Sequence, residues 1–146
     1  MSEAAKKVFE EYISLFNRAV GGEQVDPFSV FDKNCKFTCT GNSRISAKYQ
    51  SLQEVVDGVF SKVVDLMGFR SGYGFYPAEY FGDGDRMVAL MRGRGASKLN
   101  RQYNNSYFFL FEVKDGKIIE AIEDMDASLT NCVLFDLNIV PKASCN

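Results

Sequence analysis

The side chains able to do chemistry gather in residues 103–126. This segment carries Tyr103, Asn105 and Tyr107, then Glu120, Glu123, Asp124 and Asp126. The chain has no histidine, which excludes an imidazole base, Ser–His and Cys–His nucleophile pairs, and a histidine metal site. Acid–base work falls to carboxylates, tyrosines, lysines and cysteines. In a strand over 117–126, Ile118, Glu120, Ile122, Asp124 and Asp126 share one face, and Ile119, Ala121, Glu123 and Met125 the other. If the first set faces inward, Asp124 and Asp126 enter an apolar pocket about 7 Å apart. Their repulsion would then raise one pKa toward neutrality, making Asp126 a base tuned by Asp124. A bulge would exchange the faces. Asp126 also precedes Ala127-Ser128-Leu129, a helical start that either acid could cap. The sequence leaves both roles open.

On the preceding strand, Tyr103, Asn105, Tyr107, Phe109 and Phe111 share a face. A phenol and an amide on a Phe-lined wall could orient a carbonyl or enolate oxygen. They could equally be core groups with satisfied hydrogen bonds. Tyr12 and Phe16, one helical turn apart, face inward and read as packing residues more than reacting ones. Ligand contact is expected from Tyr107, Asn105, Tyr103, Tyr12 and Phe16. Arg92 and Arg94 read as a solvent-facing or dimer-facing edge; an arginine inside the cone would instead anchor an acidic ligand or pair with Asp126. Gly72-Tyr73-Gly74 and Gly93-Arg94-Gly95 lack the strand–turn–helix setting of a nucleotide loop.

The elements that must position these groups follow from periodicity. Val8, Tyr12, Leu15, Phe16 and Ala19 predict a helix over 3–20, ended by Gly21-Gly22. Residues 26–32 form a short helical turn opened by Pro27, and a strand spans 35–40. Ser51-Leu52-Gln53-Glu54 is a capping box opening a helix over 52–67. Strands are expected over 73–82, 87–94, 102–114 and 117–126, the last two joined at Asp115-Gly116. A short helix at 127–135 and a tail over 136–146 complete one domain, 1–146. Helices first and an antiparallel meander after make the fold class α+β.

Composition bounds the partners. The net charge is −2 and the basic residues are scattered, so no nucleic-acid face is expected. No run of eighteen apolar residues exists, and residues 1–7 lack a signal-peptide core. No membrane association is expected, and the location is read as cytoplasmic. Cys35 and Cys39, about 13 Å apart on a strand, are too far apart for a disulfide. Without histidine or a C-x-x-C pair, no metal is expected. The cysteines read as buried free thiols, with Cys145 exposed in the tail.

Residues 103–126 also carry a family likeness. Tyr103-Asn104-Asn105-Ser106-Tyr107, then Asp115-Gly116-Lys117-Ile118, then Glu123-Asp124-Met125-Asp126 resemble the closing hairpin of SnoaL-like and ketosteroid-isomerase-related proteins of the nuclear transport factor 2-like superfamily. The resemblance implies a cystatin-like roll: a cone-shaped, curved antiparallel sheet with N-terminal helices packed on its concave face around a pocket. It implies a functional aspartate at Asp126. The tyrosine usual in the family's E-Y-x-D pattern is Asp124 here, and the next position, often threonine, is Ala127. Relatives include isomerases, dehydratases, polyketide cyclases, epoxide hydrolases and non-catalytic proteins. The missing histidine excludes the dehydratase mechanism. The expectation is a pocket for an apolar, carbonyl-bearing small molecule, worked by metal-free, cofactor-free proton transfer of the isomerase or cyclase kind. The alternative is a non-catalytic module for a hydrophobic ligand or a protein partner. Phe108 and Leu110, on the outer strand face, predict a homodimer.

Overall fold

The computed structural model describes residues 3–68 and 74–138. Helix α1 (Ala4–Val20) buries Ala5, Val8, Phe9, Tyr12 and Ile13, the apolar face set by its helical spacing. A 3₁₀ turn, Pro27–Val30, is capped by Asp26, whose side chain accepts from the Phe28 amide at 2.9 Å. It leads into β1 (Phe31–Cys39), and β2 (Ala47–Tyr49) follows.

The expected helix over 52–67 is built in three parts: α2 (Leu52–Val55), a π turn (Val56–Phe60) and α3 (Ser61–Leu66). Ser51 caps it by accepting from the Glu54 amide, and the Glu54 carboxylate reaches back to the Gln50 amide. Gly58 lies against the Tyr49 ring, where a Cβ would come within 2.4 Å of a ring carbon. Only glycine lets the helix pack this closely.

The strands then run β3 (Met67–Gly68), β4 (Gly74–Asp83), β5 (Arg86–Arg94), β6 (Ala96–Ser97), β7 (Ser106–Lys114) and β8 (Lys117–Met125). Helix α4 (Ala127–Leu129) continues into a π turn, Thr130–Leu134. The expected four-strand meander becomes part of a six-stranded sheet ordered β2-β1-β8-β7-β5-β4. Strand β1 lies parallel to β8, so the sheet is mixed. The β7–β8 hairpin turns at Asp115 and Gly116, both with positive φ, as a two-residue connection requires. Residues 102–105 fall outside β7; Gln102 makes only an isolated bridge to Ala96.

The inner sheet face is aromatic. Tyr107, Phe109 and Phe111 stack along β7 with centroids 5.8 and 5.4 Å apart. Phe9 and Tyr12 of α1 meet Phe111 at 5.8 and 6.1 Å. Each such ring removed from water contributes about 1.5–3 kcal/mol. Cys35 and Cys39 are buried free thiols and Cys132 is an exposed one; Cys145 and the end of the tail lie outside the described residues. Among the described residues, no helix is long and apolar enough to cross a membrane.

Candidate functional site

The inner face divides into an open part and a closed part. The open part is a cavity of about 640 Å³. Phe16, Ala19 and Val20 of α1 form one wall, and Phe28 and Phe60 another. Val63, Val64 and Asp65 of α3 line it as well, together with Phe75, Gly93, Tyr103 and Tyr107 from the sheet side. Helix α3 buries no residue, and Val64 is 51% exposed. The sequence put apolar residues on this helix; the structure spends them on a cavity instead of a core.

Tyr103 belongs to a buried polar cluster. The Tyr103 and Thr130 hydroxyls are 3.0 Å apart. The Asn105 Nδ2 lies 3.1 Å from each of them and 3.2 Å from the Asp126 carbonyl oxygen. The Asn105 Oδ1 accepts from the Ser106 and Asp126 amides. Asn105 therefore ties the start of β7 to the junction of β8 and α4. Tyr103 is hydrogen-bonded to Tyr107 as well. Burial pushes the Tyr103 phenol up, and bonds from Thr130, Asn105 and Tyr107 offset part of that rise. The expected trio thus comes together. Tyr103 and Tyr107 form cavity wall, and Asn105, 2% exposed, bonds to Tyr103.

The aromatic pair from α1 separates. Phe16 lines the cavity and meets Phe75 at 4.4 Å. Tyr12 is not a cavity wall; it packs between Phe31 and Phe111. Arg94, expected on a solvent-facing edge, is exposed but also lines the cavity, with its guanidinium 4.8 Å over the Tyr76 ring.

The expected carboxylate pair lies outside the cone. Asp126 is exposed and caps α4, its Oδ1 accepting from the Leu129 amide at 3.0 Å. Asp124 is also exposed and accepts from the Thr40 hydroxyl. The cause is a bulge. Glu112 pairs with Glu120 and Val113 with Ile118, so Ile119 is extra on β8. Past it the inner face passes to Ala121, Glu123 and Met125. The adjacent isoleucines 118 and 119 beside a turn were the available sign of broken alternation.

The same bulge brings Glu123 inside, 5% exposed, between Phe109 of β7 and Cys39 of β1. Burial raises its pKa from 4.5 to about 8, and Asp124 beside it adds to the rise. The carboxylate in turn helps raise the already desolvated Tyr12, Cys39 and Tyr103. Among the described residues, no donor is bonded to the Glu123 carboxyl or the Tyr12 hydroxyl. Among them too, no side-chain nitrogen or oxygen fully shut off from solvent lacks a partner. These two polar tips therefore keep a trace of accessible surface. Among the described residues, no group of His, Cys, Asp and Glu is placed to hold a metal ion.

No family model matches the chain, and no curated protein matches it. Solved structures do. An NTF2-like protein from Burkholderia thailandensis aligns with TM-score 0.69 at 17% identity, over 85% of this chain and 92% of its own. A protein assigned as an isomerase from Bacillus subtilis aligns with TM-score 0.71 at 13% identity, over 95% and 97%. A protein assigned as a SnoaL-like polyketide cyclase from Jannaschia sp. CCS1 aligns with TM-score 0.70 at 13% identity, over 94% and 98%. At such identities the likeness speaks for architecture, and the chain has the fold of the NTF2-like proteins.

Proposed function

We propose that this protein binds an apolar small molecule bearing one oxygen acceptor, such as a ketone, with the acceptor against the Tyr107–Tyr103 pair. The observation carrying this reading is the 640 Å³ cavity whose apolar walls end on two hydrogen-bonded phenols. Its volume suits a drug-sized ligand. The hydrogen-bonded group of Asn105, Tyr103 and Tyr107 can polarise a bound oxygen, because each bond strengthens the next. Titration with 6-propionyl-2-dimethylaminonaphthalene, an apolar fluorescent ketone, tests it. One saturable site with blue-shifted emission is expected, weakened about tenfold by Tyr107→Phe. Failure of this probe and of other apolar ketones to bind would remove the reading.

Glu123 supports a second reading, proton transfer of the isomerase or cyclase kind. A carboxyl titrating near 8 can donate and accept at neutral pH. On this reading Glu123 takes the part expected of Asp126; it is not among the cavity-lining residues, so the ketone must reach past the wall at Tyr107 to meet it. Deuterium wash-in at the α-carbon of the bound ketone, lost in Glu123→Gln while binding persists, would establish it. Binding without exchange would leave the non-catalytic module.

A further inference from the structure

We propose that Asn17 is a positioning residue of the binding site, setting the direction of the Tyr107 phenol through Phe75. The inference rests on the ketone-binding reading and names the residue that aims its donor. Asn17 is half-buried near the end of α1, and its side chain reaches β4. Its Nδ2 donates to the Phe75 carbonyl oxygen at 2.8 Å, and its Oδ1 accepts from the Phe75 amide at 2.8 Å. Strand β4 is the last of the six in its sheet, so one of its edges has no strand beside it. Gly93, in register with Phe75 on β5, turns its amide the other way, to the Asn105 carbonyl oxygen at 2.8 Å. The backbone groups of Phe75 thus fall to the open edge, and the Asn17 amide supplies the donor and acceptor that a further strand would present. Gly74 belongs to the same joint. Its φ is +148°, and a Cβ there would come within 2.2 Å of the Asn17 Oδ1.

The grip matters because of what Phe75 touches. Its ring stands at 89° to the Tyr107 ring, with centroids 5.1 Å apart, and lies 4.4 Å from Phe16. The Tyr107 ring also presses on Gly93, where a Cβ would fall 2.9 Å from its Cε2. Phe75 and the Gly93 backbone therefore bound the Tyr107 ring, and the position of that ring fixes where its hydroxyl stands. Gly93 is held between neighbouring strands. Phe75 sits on the edge strand and depends on Asn17. Released from Asn17, the Phe75 ring could shift along the open edge, and Tyr107 would lose that wall.

A double-mutant cycle on ketone-probe affinity, read where every variant shows folded circular dichroism, tests this. Asn17→Ala should weaken the probe about fivefold in the wild type and less than about twofold in the Tyr107→Phe background, where no phenol remains to aim. A role in folding alone would lower stability and leave the affinity of the folded protein unchanged; that result would overturn the proposal. Equal losses in both backgrounds would overturn it too, since Asn17 would then act elsewhere in the cavity. Asn17→Asp keeps the acceptor for the Phe75 amide and loses the donor, and it takes the place of Asn17→Ala if that variant does not fold. The free protein gives a second readout that needs no ligand. With tyrosines carbon-labelled at Cζ, the Tyr107 NMR signal, assigned by its loss in Tyr107→Phe, should move in Asn17→Ala. A signal that stays in place would overturn the positioning role. A moved signal in a protein that binds no apolar ketone would remove the ketone reading and uphold the coupling from Asn17 through Phe75 to Tyr107.

Discussion

The cavity and the Glu123 neighbourhood share one sheet face and differ in what covers them. Over β1, β8 and the far end of β7, helix α1 lays down Phe9 and Tyr12, and the rings pack to contact. Beside Phe75 and Tyr107, where Phe16 of α1 meets Phe75, the face opens into the cavity, whose wall includes α3, a helix with no buried residue. The closed part spends its aromatics on cohesion and holds one carboxyl at the expense of its charge. The open part spends them on walls around space. Stability and binding should therefore respond to substitutions in different places.

Tyr12→Ala and Phe60→Ala test that division with the largest expected effect. Tyr12 is 1% exposed and touches Phe16, Phe31 and Phe111, so its loss should cost about 3–5 kcal/mol in urea unfolding. Phe60 meets Phe28 and Phe37 but faces the cavity with the rest of its ring. It has fewer contacts to lose, and its removal should cost less than about 2 kcal/mol. The ketone probe should show the reverse order, with Phe60→Ala weakening binding more. Equal costs would show that the two regions pack alike.

Glu123 gives the next effect, on the order of a few kcal/mol. Its folded pKa, about 8, lies above the ordinary 4.5. Between those values the folded state binds the proton that the unfolded state has released. Its contribution is therefore full below the unfolded pKa and is lost as pH rises from about 4.5 through about 8. Glu123→Gln keeps the shape and removes the ionisation. Unfolding measured from pH 5 to pH 9 should show the wild type losing stability relative to the variant as pH rises. A constant difference across that range would mean that Glu123 is not desolvated.

A third test fills the open part. Val64→Trp adds apolar volume at the solvent side of the cavity. Probe affinity should fall by about tenfold or more, the equivalent of 1.4 kcal/mol. Unfolding free energy should shift by less than about 1 kcal/mol, because Val64 is half-exposed already. Unchanged affinity would place the probe elsewhere.

The fold was legible because long periodic segments specify it. The apolar stripe of α1, the capping box at Ser51 and the Asp115-Gly116 turn each fix a local geometry that the whole domain then uses. The parallel pairing of β1 with β8 was not legible, since nothing within 31–39 encodes which distant strand it joins. The site was half legible. Tyr103, Asn105 and Tyr107 precede the β7–β8 bulge and fall where alternation puts them. Asp124, Asp126 and Glu123 follow it, and a single extra residue, Ile119, exchanges their faces. The π turns at 56–60 and 130–134 leave no periodic trace, yet the first sets Val56 and Phe60 in the cavity wall.

Asp126 provides the smallest and most discriminating effect, because a cap and a buried base respond differently to one substitution. As a cap, its Oδ1 accepts the Leu129 amide at 3.0 Å, and its backbone joins the Asn105 network at both ends, through the amide and the carbonyl. Asn offers an equivalent side-chain oxygen, so Asp126→Asn should change stability by less than about 0.5 kcal/mol. Asp126→Ala removes the acceptor and should cost about 1 kcal/mol. Neither variant touches the backbone bonds to Asn105, so the tyrosine pair should keep its place and probe affinity should hold. A pocket base would give the opposite pattern: Asn would abolish exchange at the α-carbon of the bound ketone and leave stability equal or improved. Unfolding and exchange measured on both variants separate the two roles. Loss of exchange in Asp126→Asn with Glu123 intact would return the catalytic assignment to the aspartate and contradict the inward turn of Glu123.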